Sequence, residues 1–88
     1  MKLISFAVPC YNSESYMHRC IDSLLVGGER VEIIIVNDGS SDKTAEIANE
    51  YAEKYPSIVQ VIHKENGGVS SARNAGIDKA SSEYIMFV

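Results

Sequence analysis

No GxGxxG follows the first apolar stretch of this 88-residue chain, and no GxxxxGK(S/T) occurs anywhere in it. Those absences weigh against an NAD-type dinucleotide domain and a P-loop nucleotidase, whose backbones need glycines to approach a phosphate closely. Cysteine is scarce. Cys10 and Cys20 form no CxxC, one pair is too few for a disulfide scaffold, and the spacings of a zinc site are missing. Free thiols in a cytosolic protein are the expected state. No strong charge of one sign is present either. The net charge is -4 with acids and bases interspersed, so there is no basic stripe to neutralise a phosphate backbone, which argues against a general nucleic-acid binder. A nucleotide ligand is not excluded, because a metal or one or two basic residues could meet its charge. No apolar run approaches the roughly 20 residues needed to span a bilayer. The start, MKLISFAV, lacks the long apolar region and cleavage site of a signal peptide and reads as a strand. Repeats and low-complexity segments are also lacking.

What is present is one small α/β domain. A chain of this length buries only about two-thirds of its unfolded surface, so the core is modest. The stretch that organises the rest is Glu32 to Thr44, EIIIVNDGSSDKT. Its unbroken β-branched run, Ile33 to Val36, suits a parallel strand covered on both faces. Asn37, Asp38, Gly39, Ser40 and Ser41 then stop the strand at the end where open α/β sheets bind ligands.

The remaining elements follow from spacing. Leu3 to Val8 is a first strand that Pro9 should end. Ser13 is suited to cap a helix, with Glu14 adding negative charge in its first turn. Met17, Cys20, Ile21, Leu24 and Leu25 form that helix's apolar face, and Gly27 and Gly28 its C-cap. Ser41 or Asp42 caps a second helix, whose face runs through Thr44, Ile47, Ala48, Tyr51, Ala52 and Tyr55 and which Pro56 ends. Ile58 to Ile62 is a third strand and His63 to Gly68 a polar loop. Val69 to Lys79 is a third helix with Val69, Ala72, Gly76 and Ala80 on one side, small enough to lie close on the sheet. Tyr84 to Val88 is a fourth strand. Strands alternating with helices through short loops imply a parallel sheet with right-handed crossovers. The chain stops inside its last apolar strand, which predicts that it is a piece of a longer protein.

Several residues converge on the carboxyl end of that sheet, each with two readings. Tyr11 either stacks on a nucleobase or packs on the first helix. Asp38 either accepts from a base N–H or ribose hydroxyl, or bonds its own turn. Asn66 to Gly76, NGGVSSARNAG, puts two glycines before a helix amino terminus, either an anion site or an ordinary loop. Arg73 reaches the same crevice or forms a surface ion pair with Asp78 or Glu65. Asp42 reads as helix-start charge. His18 and His63 read as structural or solvated, and Cys10 as a small apolar filler.

Taken together, the motifs Val8 to Glu14, Ile35 to Thr44 and Asn66 to Gly76 resemble the family-2 glycosyltransferases of GT-A fold, over nearly the whole chain. The resemblance implies a three-layer α/β/α sandwich on a four-stranded parallel, Rossmann-like sheet. Residues 1–88 would be the amino-terminal, nucleotide-sugar-binding half of such a domain. Pro9 and Tyr11 match the positions that line the base, Asp38 the acid that hydrogen-bonds it (commonly uracil), and Glu14 the acid of the first loop. Arg73 matches the basic residue reaching toward the nucleotide, and Gly68 the glycine that opens the third helix. The implied function is transfer of a sugar from a nucleotide donor, a UDP-sugar, to the hydroxyl of a glycan or lipid-linked acceptor in polysaccharide biosynthesis. The family's Asp-x-Asp motif, which binds Mn or Mg on the diphosphate, and its general base would fall beyond Val88. The 88 residues alone are therefore expected to hold no metal and not to catalyse. The expected location is cytoplasmic, with membrane association open for a longer protein. The competing reading is a self-contained nucleotide-binding or assembly module. A homo-oligomer is expected through an exposed edge or apolar face at the fourth strand, or at the first beside it.

Overall fold

The computed structural model of the chain describes residues 3–82 and 84–88, and only the backbone of Val69. The elements are β1 (Ile4–Cys10), α1 (Met17–Leu24), β2 (Val31–Asp38), α2 (Thr44–Lys54), β3 (Val59–Lys64), α3 (Val69–Lys79) and β4 (Ile85–Phe87), with a 3-10 turn over Leu25–Arg30. The sheet is parallel throughout, in the order β3-β2-β1-β4. This is the expected three-layer α/β/α sandwich.

All eight residues of β2 are buried, because it pairs on both sides and is covered on both faces. Alternation divides its isoleucines. Ile33 and Ile35 join Val8, Val59, Met17 and Ile21 of α1, and Ala48 and Tyr51 of α2, in one core layer. Ile34 and Val36 face the other way, onto Ala72 of α3. The small residues of α3 do bring it close. A Cβ on Gly76 would lie 2.7 Å from the Cβ of Ala7.

A second acid occupies the opposite end of β2. Glu32 is 4% exposed. Its carboxylate accepts from Ser5 Oγ at 2.7 Å, Gln60 Nε2 at 2.8 Å, and Ser81 N and Oγ at 2.9 and 3.0 Å. A buried charge is tolerated when its lone pairs are satisfied in this way. These bonds tie β1, β2 and β3 to the segment after α3.

Four local expectations are corrected. Pro9 does not end β1, which continues to Cys10. Ser5 turns its N–H toward β4, donating to Tyr84 O at 2.8 Å. Pro9, of the same parity, therefore turns its nitrogen to that side, beyond Ala7, the last residue that β4 pairs. Ser13 is not a side-chain cap. The helix starts a turn later, at Met17, after the Ser13 carbonyl accepts from the N–H groups of Tyr16 and Met17. Gly27 and Gly28 do not cap α1. Leu25 does, and the chain runs on through the 3-10 turn, in which Gly28 takes a φ of +63°. Finally, β3 extends through His63 and Lys64, which pair with Asn37 and Asp38. Their side chains find polar partners there, so polarity does not end the strand. Asn37 Nδ2 donates to His63 Nδ1 at 3.1 Å, and His63 Nε2 donates to Asn49 Oδ1 at 2.9 Å.

Among the described residues no helix is long and apolar enough to cross a membrane. The close approach of α3 gives a direct test. Gly76→Val should force α3 off Ala7 and cost about 1–3 kcal/mol in urea unfolding, as overpacking does. A change below about 0.5 kcal/mol, the size of a neutral surface substitution, would show that the contact is not tight.

Candidate functional site

The site is built by three loops at the carboxyl end of the sheet. Parallel register sets Pro9 beside Val36 and Cys10 beside Asn37. One residue further along, Tyr11 leaves β1, while Asp38 is the last residue of β2 and still pairs with Lys64 of β3. The first loop is then laced to the second. Asn12 N donates to Ser40 Oγ at 2.9 Å, and Ser41 N donates to Asn12 Oδ1 at 2.8 Å. Ser13 N donates to Thr44 Oγ1 at 2.8 Å, and Glu14 N to Asp42 Oδ2 at 3.2 Å. Asn12 takes a φ of +48°, which asparagine tolerates better than most residues. Asp42 also accepts from Thr44 N at 2.9 Å. Burial alone would raise the Asp42 carboxyl. The hydrogen bonds from Thr44 and from Glu14 N–H outweigh it and hold the carboxyl below its usual value.

The second loop is joined to the third through Asp38 itself. The Asp38 residue is 4% exposed. Its Oδ1 accepts from Lys64 Nζ and from Gly67 N, both at 2.9 Å, and its Oδ2 accepts from Gly68 N at 3.0 Å. The Lys64 hydrogen bond is the main reason the carboxyl lies below its ordinary value, with the Gly67 N–H next. Gly68 stands at the N-cap of α3 with a φ of +88°, where a side chain would be strained. Asp38 thus occupies the amino terminus of α3, where free N–H groups and the helix dipole favour negative charge. Gly39 lets the loops approach each other. A Cβ there would lie 2.6 Å from Asn66 N.

Of the residues singled out in the sequence, Asp38 and Gly68 are in direct hydrogen bond. Pro9 pairs with Val36, two residues before Asp38, Tyr11 follows the last residue of β1, and Glu14 is tied to the same loop pair by its backbone. Tyr11 is 54% exposed, so its ring lies open to a ligand and is not packed away on α1. Asp38 does not bond its own turn but holds the third loop. Arg73 stands apart. Among the described residues it makes no ion pair, with Asp78, Glu65 or Asp38. Its guanidinium carbon lies 5.4 Å from the centre of the Phe87 ring on β4. Cys10 is buried, and burial pushes its thiol up to about 11, which fits a core filler and not a nucleophile. Lys64 was hidden in the sequence by the expected loop. Extending β3 opposite β2 by two residues sets it beside Asp38.

Among the described residues no three His, Cys, Asp or Glu side chains converge in a way that could hold a metal ion. The residues present do not fit the divalent ion that the resemblance implies. A cleft of about 270 Å³ lies on the α1–α2 face, lined by His18, Asp22, Glu50, Tyr51, Lys54 and Tyr55. Three of its polar groups, His18, Tyr51 and Asp22, form one hydrogen-bonded chain. His18 Nδ1 and the Tyr51 hydroxyl are 2.9 Å apart, and that hydroxyl donates to Asp22 Oδ1 at 2.7 Å. Burial, then the Asp22 hydrogen bond, push the Tyr51 hydroxyl well above its ordinary range.

Comparison with known proteins bears on this loop cluster. The sequence is 51% identical over 87 residues to the uncharacterized glycosyltransferase EpsJ of Bacillus subtilis, a match covering 98% of this chain and 25% of that protein. It is 45% identical over 87 residues to the minor teichoic acid biosynthesis protein GgaB of the same organism, covering 96% of this chain and 10% of that protein. The chain spans about a quarter or less of the length of these relatives. Among solved structures, S. aureus TarS 1-349 in complex with UDP superposes with a TM-score of 0.84 at 32% identity, over 100% of this chain and 27% of that one. The mannosyltransferase PcManGT from Pyrobaculum calidifontis, in complex with GDP-Man and Mn2+, shares the fold with a TM-score of 0.81 at 22% identity, over 93% of this chain and 25% of that one. The sequence profile described as Glycosyl transferase family 2 matches residues 5–88. A match that leaves out only the first few residues, on a fold that superposes along the whole chain, means that this chain belongs to glycosyl transferase family 2.

Proposed function

We propose that this chain is the nucleotide-binding part of an enzyme that transfers a sugar from a UDP-sugar to an acceptor hydroxyl, on a glycan or a lipid-linked glycan, in the cytoplasm. The observation that carries the reading is Asp38. It is a carboxylate kept ionised at the carboxyl end of a parallel sheet, and the exposed Tyr11 directly follows β1, the strand paired alongside. Such a pair suits a nucleobase, with the ring stacking on its face and the carboxylate accepting from its N–H. Pro9 lines the same edge, and Gly68 keeps the α3 amino terminus free of side chain. Glu14 and Arg73 are assigned to the outer parts of the nucleotide site. The likeness to TarS, whose structure holds UDP, supports uridine as the base.

The 88 residues are assigned binding but not turnover. They span about a quarter of the EpsJ relative, and sugar transfer needs an acceptor site and a base that no residue discussed above supplies. The longer protein is assigned a divalent ion, Mn or Mg, on the donor diphosphate, from residues outside this chain.

The experiment is calorimetric titration of uridine diphosphate. Binding should be weak, and Tyr11→Ala should cost it about 1–3 kcal/mol, the value of one base–aromatic stack. Asp38→Ala should cost a similar amount, as the loss of a hydrogen bond to a charged group does. Tight binding that neither substitution alters would refute the assignment. The depressed Asp38 carboxyl also sets a pH dependence. Binding that needs the ionised form is complete above the depressed value and is lost only as pH falls through it. The advantage of the wild type over Asp38→Ala should therefore stay flat from neutrality to about pH 5, above the ordinary carboxylate range.

The same reading assigns self-association to one edge of the sheet. β1 is paired on both sides, which removes it as a candidate edge, whereas β4 pairs only with β1. Met86, Phe87 and Val88 there are exposed. Light scattering at high concentration should give a dimer or larger species. A monomer would contradict this part of the proposal.

A further inference from the structure

Lys64 is the least expected member of the loop cluster, and its bonding leaves something over. An ammonium has three N–H donors. One is given to Asp38 Oδ1 at 2.9 Å and one to the Glu65 carbonyl at 2.7 Å. Among the described residues the third has no acceptor. The carboxylate is in the same position. Its two oxygens offer about four lone-pair sites, and Lys64, Gly67 and Gly68 fill three of them, two on Oδ1 and one on Oδ2. Among the described residues the cluster therefore leaves one acceptor position on Oδ2 of Asp38, whose side chain is 6% exposed, and one donor on Lys64 Nζ without a partner. Lys64 has room to use it. Its side chain is 22% exposed. A Cβ on Gly67 would sit 3.0 Å from Nζ, so the glycine keeps space beside the ammonium.

We propose that Lys64 is a second base-reading residue of this site. Its free N–H, beside the open lone pair of Asp38, recognises a ring carbonyl adjacent to a ring N–H. That pattern is the imide edge of uracil or the lactam edge of guanine. Cytosine and adenine present an acceptor nitrogen beside an amino group, the reverse pattern. Against them the carboxylate would meet a lone pair and the ammonium an N–H. This inference rests on the nucleotide-binding reading and deepens it, by naming which bases the site accepts and which residue decides.

The test is titration of this chain with uridine, cytidine and 4-thiouridine diphosphates, for the wild type and for Lys64→Met. The wild type should prefer uridine diphosphate to 4-thiouridine diphosphate by about tenfold, the loss expected for one charge-assisted hydrogen bond, and to cytidine diphosphate by more, because both contacts are reversed there. In Lys64→Met the preference over 4-thiouridine diphosphate should vanish, because a thiocarbonyl differs from a carbonyl there chiefly as an acceptor. The thio comparison in the wild type needs no substitution, so it stands even where Lys64→Met fails to fold. Equal affinity for the oxo and thio ligands in the wild type overturns the proposal. So does an equal loss for every base in Lys64→Met, which would leave Lys64 only a structural partner of Asp38. Failure of the underlying reading looks different. There no nucleotide would bind the wild type, or binding would ignore Tyr11→Ala and Asp38→Ala.

Discussion

The carboxylate of Asp38 joins the parts of this molecule that matter most for binding. It ends the central strand and accepts the ammonium of Lys64 from the neighbouring strand. It also accepts the N–H groups of Gly67 and Gly68, which open α3. A buried carboxylate without those donors would be strongly disfavoured. With them, one charge fixes the end of β3, the loop that follows and the start of α3. The loop after β1 is held from the other side through Asn12, Ser13 and Glu14. The rim of the sheet is therefore a hydrogen-bonded unit before any ligand arrives, as expected of a preorganised site.

β2 carries a hydrogen-bonded acid at each end, and the two do different work. Glu32 accepts from side chains of β1 and β3 and from Ser81, and fastens the end of the sheet away from the loops. Asp38 fastens the end at which the loops gather. Between them the strand is wholly apolar apart from Asn37, and its two faces supply both core layers. Burial of the isoleucines provides the stability, and the acids at the ends set register and loop placement. Breaking one partner of such a buried charge costs far more than a surface ion pair is worth. This weighs Lys64 and Ser81 well above the exposed charges of α2.

Much of this was legible in the sequence. The β-branched run of β2, the helical spacing of Met17 to Leu25 and of Thr44 to Tyr55, and the small face of α3 each gave the right element, because each pattern has one physical period. Asp38, Tyr11 and Gly68 were legible as neighbours because parallel sheets gather their βα loops at one end. Boundaries that depend on partners were not. Pro9 remains in β1 because its nitrogen turns away from β2, so the β1–β2 pairing loses no donor, and Ser13 lost its capping role because its oxygen is used by Tyr11 N. His63 and Lys64 look like loop until the register sets them against Asn37 and Asp38. Lys64 escaped notice for that reason, since no local pattern marks a lysine that is paired across a strand. Arg73 was placed correctly on α3, but its contact with Phe87 depends on the position of β4.

The most direct test of this account is an amide chemical-shift titration of the chain with uridine diphosphate. The largest shifts should fall on the Gly67 and Gly68 N–H groups that Asp38 accepts, and on Tyr11 and Asn12 of the first loop. Shifts concentrated instead around His18, Asp22 and Tyr51, on the α1–α2 face, would contradict it.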